Sequence, residues 1–182
     1  MTRIRPATRD DAAALQAIYG HHVANGFGSF EESSPSVAEM TERWAAISAR
    51  GLPYLVAEVE GAVAGLAYAG PYRPRSAYRF AVEDSVYVAP GHQGRGVGKI
   101  LLNAVIEACE GLGLRRMLAF IGDSANAGSI GVHRSCGFRH IGALEKVGFK
   151  AGRWLDVVVM ERDLGGEPGG APTGPGMDLS GG

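Results

Sequence analysis

Seven consecutive residues, Gln93, Gly94, Arg95, Gly96, Val97, Gly98 and Lys99, join the apolar run of Val86, Tyr87 and Val88 to a helical pattern that continues through Ile100 and Leu101. Glycines at such a junction let successive backbone N–H groups face anionic oxygens. The first turn of a helix adds its positive dipole end, and Arg95 and Lys99 add charge. The chemistry this suits is the holding of a phosphate or diphosphate. Three patterns compete for it. A GxxxxGK[ST] loop fails twice, because Gln93 stands where its first glycine belongs and Ile100 stands where its hydroxyl belongs. The dinucleotide pattern GxGxxG is not met by Gly94, Gly96 and Gly98, and the next strand ends at Gly122 and Asp123, beyond the required spacing of about 20 residues. The third pattern, Q/R-x-x-G-x-G/A, is met by Gln93, Gly96 and Gly98. A plain glycine-rich turn is its alternative.

Proton-transfer and nucleophilic candidates are few. Glu83 and Asp84 are adjacent in a strand pattern, so they face opposite sides of a sheet, one toward a cleft and one away. His133 has an imidazole suited to proton transfer and lies one helical turn after Ser129. Read alone, a strand glutamate is usually solvated and a single helical histidine usually structural. Cys109 and Cys136 are far apart, with no CxxC and no nearby His/Cys set, which suggests neither a zinc site nor a disulfide framework. His21 and His22 are neighbours on a helix and point about 100° apart, a poor geometry for ligating a metal. No metal is expected.

The elements that must position these groups follow from periodicity and punctuation. Residues 2–7 read as a strand. Thr8, followed by acids and by Leu15, Ile18, Tyr19 and Val23 at helical spacing, opens a helix, and Ser36 with Glu39 forms a capping box for a second one ended by Gly51. Two strands flank Glu60 and Gly61 as a hairpin. A strand through Glu83 feeds the glycine turn and a long helix. Then come a buried-looking strand at residues 115–122, a short helix containing His133, and two closing strands. The order β-α-α-β-β-β-α-β-α-β-β describes a layered α/β chain. Residues 165–182 carry eight glycines and three prolines with almost no apolar side chain, and are expected to form a disordered tail after a single domain at residues 1–164.

Beyond these patterns, the segments "AIYGHHV", "AYAGPYRPR", "YRFAVEDSVYV", "IGDSANAGSIGVH" and "VGFKAGRWLD", together with the glycine turn, resemble the GNAT acetyltransferase family. Within it they resemble the phosphinothricin and methionine sulfoximine N-acetyltransferase branch. The resemblance spans residues 2–163 and implies a mixed, mostly antiparallel twisted sheet of about seven strands, helices on both faces and a splayed central strand pair. It implies acetyl transfer from acetyl-coenzyme A to the α-amino group of a small amino-acid analogue, by direct attack in a ternary complex, and a homodimer. Residues 93–99 would then hold the diphosphate. Val86, Tyr87 and Val88 would pair with the pantetheine arm through their backbone, with an N–H near Tyr87 or Val88 stabilising the carbonyl oxygen. Asn126 would face the same arm, unless it only caps its helix. Glu83 and His133 would sit near the amine, with base duty undivided between them. Arg73, Pro74 and Arg75 would bind the acceptor's anionic groups, and Phe27, Phe30 and Glu31 would wall its pocket. Gly28 stands where relatives often carry alanine. Acetylation of protein N-termini or of polyamines, and a non-catalytic coenzyme A sensor, are the alternatives.

Composition bounds the rest. Eighteen basic and 19 acidic residues leave a formal charge of −1, which argues against a broad nucleic-acid surface. No run of 18 apolar residues occurs, and the first 15 residues lack the apolar centre of a signal peptide, so a membrane span is not expected and a cytoplasmic location is.

Overall fold

The turn at Glu60 and Gly61 has both residues at positive φ, 54° and 82°, the conformation that joins antiparallel strands with the correct twist. It closes a hairpin of β2 (Tyr54–Val59) and β3 (Ala62–Pro71) in which Val59 faces Ala62. The computed structural model describes residues 1–166 and 170–179. Its other elements are β1 (Thr2–Pro6), α1 (Ala12–Asn25), α2 (Val37–Ala49), β4 (Ala81–Val88), α3 (Val97–Gly111), β5 (Arg116–Gly122), α4 (Ala127–Ser135), β6 (Arg139–Lys150) and β7 (Arg153–Asp163). The seven strands form one sheet in the order β1-β2-β3-β4-β5-β7-β6. β4 and β5 are the parallel pair; parallel neighbours need a crossover, and α3 supplies it.

Helices cover both faces. Leu101, Leu102 and Val105 of α3 pack with Val82 and Met117 in one buried cluster; Leu15 and Val23 of α1, with Met40 of α2, pack on Val56 and Leu66 in another. The expected capping box at α2 is complete: Glu39 N–H donates to Ser36 Oγ at 3.2 Å and Ser36 N–H to Glu39 Oε2 at 2.6 Å, a cap worth about 1 kcal/mol. Thr8 instead opens a short 3-10 turn, Arg9–Asp11, that precedes α1. Its N–H donates to Asp11 Oδ2 at 2.7 Å, and Asp11 is held in turn by Arg5 through two bonds of 2.7 and 2.8 Å. Gly65 in β3 brings α3 close to the sheet, since a Cβ there would lie 2.9 Å from Leu101 Cδ1 and 3.0 Å from the Tyr87 carbonyl.

One irregularity creates the cleft. β3 pairs with β4 along its whole length, to Gly65 and Val88. β5 pairs with β4 only at Ala81, Val82 and Glu83, yet continues along β7 to Gly122. Beyond Glu83 the two central strands therefore part.

The tail departs from its expectation where it is described. Met177 is 9% exposed and joins the α3-side cluster, with Leu179 packed against it. Met177 N–H donates to Arg79 O at 2.8 Å, and Arg79 Nε donates to Pro175 O at 3.1 Å. Two apolar side chains in a glycine-rich stretch are enough to find a site on the core, which a count of composition does not reveal. The remainder of the expected tail, residues 167–169 and 180–182, lies outside the described residues. Among the described residues, no helix is long and apolar enough to cross a membrane.

Candidate active site

The gap between β4 and β5 opens into a cleft of about 1220 Å³ that runs from the glycine turn to the loop following α1. Backbone alternation decides which groups of β4 face it. Tyr72 N–H donates to Ala81 O and Ala89 N–H to Ala64 O, so the odd-numbered residues of β4 direct their backbone groups to β3. Asp84, Val86 and Val88 consequently turn theirs toward the side that β5 has vacated. The arm-pairing role expected of Val86 and Val88 finds backbone left by β5 at Val86 and at the Val88 N–H. Tyr87 has none to offer, because its N–H and C=O face β3 while its ring packs edge-on against Tyr19 at 4.9 Å. Val88 O is taken by His22 Nε2–H at 2.8 Å. Burial pulls the His22 pKa down, so the ring is a neutral donor that orients this peptide.

At the wide end, Gly94 and Gly96 have φ of 71° and 81°, a left-handed conformation that favours glycine, and a Cβ on either would meet nothing within 4 Å. The cradle is open. Gln93, Gly94, Gly96, Val97, Gly98 and Lys99 line the cleft, as does His92, which had no expected role; Arg95 is exposed and is not among the lining residues. Asn126 caps its helix and also lines the cleft. Its Oδ1 accepts from Ser129 N–H at 3.1 Å, capping α4, while its Nδ2 lies in the cleft wall 3.7 Å from where a Gly28 Cβ would stand.

Glu83 and Asp84 do face opposite sides. Glu83 is half-buried in the cleft at the point where the strands part. Burial raises its pKa, the neighbouring Asp84 charge raises it further, and Arg73 opposes both. Asp84 turns to the α3 and α4 side, where it is buried rather than solvated and bonds His133 Nε2 at 2.9 Å. His133, 4% exposed, has its other nitrogen 2.7 Å from Ser129 O. A carbonyl only accepts, so Nδ1 carries a proton, and Nε2 is committed to the carboxylate. Burial alone would lower the His133 pKa; the Asp84 hydrogen bond and charge, with the Ser129 carbonyl, outweigh it and the pKa is raised. His133 therefore sits at the cleft with both ring nitrogens engaged and its charged form favoured.

Of the expected acceptor residues, the structure gathers some and leaves others out. Arg73 lies over the Tyr72 ring at 5.1 Å, and Tyr72 stacks on Phe120 of the cleft wall at 5.9 Å. Arg73, Pro74 and Arg75 are all exposed and none of them lines the cleft; Pro74 borders a shallow depression shared with Met177 and Leu179. Phe27, Gly28, Phe30 and Glu31 do form a wall. Glu31 is not free for a ligand, since it accepts from Tyr19 Oη at 2.7 Å and pairs with Arg43 at 2.7 Å. The loop lies directly on Gly122, where a Cβ would clash with the Phe27 carbonyl and stand 2.8 Å from the Phe30 ring. Neither Gly122 nor His22 carried a sequence signal, because their partners are distant in the chain. Among the described residues, no cluster of metal-ligating side chains occurs. Burial pushes the Cys109 thiol up to about 12 and raises that of Cys136, which makes both poor nucleophiles.

Residues 15–138 match the model of the acetyltransferase (GNAT) family. The chain is 53% identical over 161 residues to a phosphinothricin N-acetyltransferase of Alcaligenes faecalis, covering 88% of this chain and 82% of that one. It is 38% identical over 161 residues to an L-methionine sulfoximine/L-methionine sulfone acetyltransferase of Salmonella typhimurium, covering 88% and 94%. The crystal structure of a phosphinothricin acetyltransferase from Sinorhizobium meliloti in complex with AcCoA superposes with a TM-score of 0.91 at 44% identity, covering 94% of this chain and 93% of that one.

Proposed function

Because this chain belongs to the GNAT acetyltransferase family and is an acetyl-coenzyme A-dependent acetyltransferase of a small amine, we propose that its acceptor is the α-amino group of an amino-acid analogue of the phosphinothricin and methionine sulfoximine kind. The observation that carries this reading is the half-buried Glu83 where β4 and β5 part, between a backbone cradle for a diphosphate and an aromatic wall beside Arg73.

Each residue has a definite task. Gly94, Gly96 and the first turn of α3 present N–H groups to the diphosphate, with Lys99 adding charge. Val86 offers unpaired backbone to the pantetheine amides, and the Val88 N–H, next to a carbonyl that His22 already holds, faces the thioester oxygen as negative charge develops. Arg73, backed by Tyr72 and Phe120, supplies a guanidinium to the acceptor's carboxylate or second polar head. An α-amine is largely protonated near neutral pH, so a base must release its lone pair. Glu83 takes that proton, directly or through one water, and burial has moved its pKa toward the working range. The nitrogen attacks the thioester carbon, the C–N bond forms, the C–S bond breaks, and the departing sulfur takes up a proton. His133 serves by orientation, since both ring nitrogens are already engaged. The inert cysteines favour direct attack over an acyl-enzyme.

The chain's second expected partner is another copy of itself. Ile141, Leu144, Val147, Phe149 and Trp154 are all exposed on the β6–β7 hairpin, Trp154 by 60%; this apolar edge supports a homodimer. A cytoplasmic location goes with the same reading. The test is release of free thiol from acetyl-coenzyme A across phosphinothricin, methionine sulfoximine, methionine sulfone, spermidine and an alanine-ending peptide. Turnover of the first three above the others is expected; preference for the peptide or the polyamine would replace this acceptor class.

A further inference from the structure

Lys150, at the end of β6, is only 7% exposed, and a lysine this buried ordinarily has a carboxylate partner. This one has none among its bonds. Its Nζ donates to three backbone carbonyls: Val23 O at 2.8 Å, Gly26 O at 2.9 Å and Ser29 O at 2.8 Å. An ammonium has three donors and no acceptor, so its hydrogens are all used. Val23 lies in the last turn of α1 and Gly26 caps it; carbonyls there lack intrahelical partners and lie at the negative end of the helix dipole. Ser29 is in the middle of the loop that follows. One cation thus ties the end of a helix to the centre of the cleft wall.

Neighbouring contacts from the same hairpin act on the same loop. The Phe30 ring lies against Gly148, where a Cβ would stand 3.1 Å from Cζ and closer still to Cδ2 and Cε2. The Arg153 guanidinium lies 4.2 Å from the Phe27 ring centroid and is anchored to Asp123 at 2.7 Å. Lys150 itself is not among the residues that line the cleft. With every donor engaged, it has none to offer an acceptor carboxylate. Its effect on the cleft is transmitted through residues 26–30.

We propose that Lys150 is a positioning residue for the acceptor: its ammonium holds residues 26–29 in the curve that presents Phe27 and Phe30 as the acceptor wall. The β6–β7 hairpin thereby sets acceptor affinity without touching the acceptor. This rests on the reading of that loop as the acceptor wall. Burying an ammonium is costly, and a methionine of similar length would fill the space without that cost. What methionine lacks is the ability to bind three carbonyls at one point.

The experiment compares wild type with Lys150→Met and Lys150→Arg by acceptor KM, acetyl-coenzyme A KM and amide hydrogen exchange of intact protein. Lys150→Met is expected to raise the acceptor KM by about tenfold or more, the scale of losing buried charge-assisted hydrogen bonds, with the acetyl-coenzyme A KM unchanged. Exchange should quicken in residues 24–31 and not in α3. Lys150→Arg keeps the charge, but its planar fork does not converge on three carbonyls from one atom, so it should fall between the two. It carries the same test if the methionine variant does not fold. An unchanged acceptor KM, an equal rise in both KM values, or unchanged exchange in residues 24–31 overturns the proposal. If wild type acetylates none of the amino-acid analogues, the acceptor reading fails separately, and the exchange data, which need no substrate, still decide the clamp.

Discussion

Replacing Gly122 by alanine adds a single methyl group where the cleft wall meets the end of β5. An ideal Cβ at that position would be 2.8 Å from Phe30 Cε1 and 3.3 Å from Gly28 Cα, and would overlap the Phe27 carbonyl oxygen outright, whereas ordinary contact begins at 3.4 Å. The Phe30 edge must therefore retreat by at least 0.6 Å, the difference between 3.4 and 2.8 Å, and the Phe27 carbonyl by more. The carbonyl is backbone and cannot swing aside as a side-chain tip would. Because Tyr19 and Arg43 hold Glu31 and Lys150 holds Ser29, movement of the loop strains contacts at its far side as well. Overpacking of this sort costs about 1–3 kcal/mol of stability. A displacement near 1 Å in a group that positions a substrate costs up to about a hundredfold in rate. The expected result is a tenfold to hundredfold fall in kcat/KM for the acceptor, on the order allowed by that displacement, with a smaller change for acetyl-coenzyme A. Thiol release under saturation of each substrate in turn measures the two separately, and thermal unfolding reports the stability cost. Wild-type kcat/KM for the acceptor in a folded Gly122→Ala protein would refute the placement of the acceptor against residues 27–30.

Three other perturbations probe different parts of the site. Glu83→Gln should lower kcat by about 10²–10⁴-fold and abolish the acidic limb of the pH–rate profile. In the wild type that limb is moved upward from the ordinary glutamate value because burial and Asp84 raise the Glu83 pKa, so a limb that survives the substitution would clear Glu83 of base duty. The Asp84–His133 pair bears on stability. Since the folded-state His133 pKa is raised, its contribution is fully present below the unfolded value of about 6.5 and is lost as pH rises through the folded-state pKa. Chemical denaturation should show this decline in wild type and a flatter profile in His133→Gln, and equal slopes would contradict the pairing. Gly96→Glu places a carboxylate in the diphosphate cradle and an L side chain at a φ of 81°, so calorimetric titration should detect no coenzyme A binding, and wild-type affinity would move the diphosphate elsewhere.

Much of the architecture is legible in short segments because the forces that set it act over a few residues. The turn at Glu60 and Gly61, the Ser36–Glu39 box, the glycine turn into α3 and the order of strands and helices all depend on neighbours within about one helical turn or one strand pairing. The opposite orientation of Glu83 and Asp84 is likewise a consequence of strand periodicity alone. Which of them would be buried, and under what, is not. Asp84 and His133 are 49 positions apart, and only the packing of α4 over the sheet turns a lone helical histidine into half of a buried pair.

The same holds more strongly for the cleft itself. From the chain alone come a strand, a glycine turn and a helix that can hold an anion. Tertiary structure determines that β5 leaves β4 after Glu83, so that backbone groups of alternate residues become available and Tyr87 loses the role its position suggested. It also determines that Lys150 reaches carbonyls more than 120 positions away, and that Met177 docks a stretch whose composition predicts disorder. Local conformational preference is written in adjacent residues. Burial, pairing and the charge state that results depend on which distant surfaces come together, and those are properties of the folded chain as a whole.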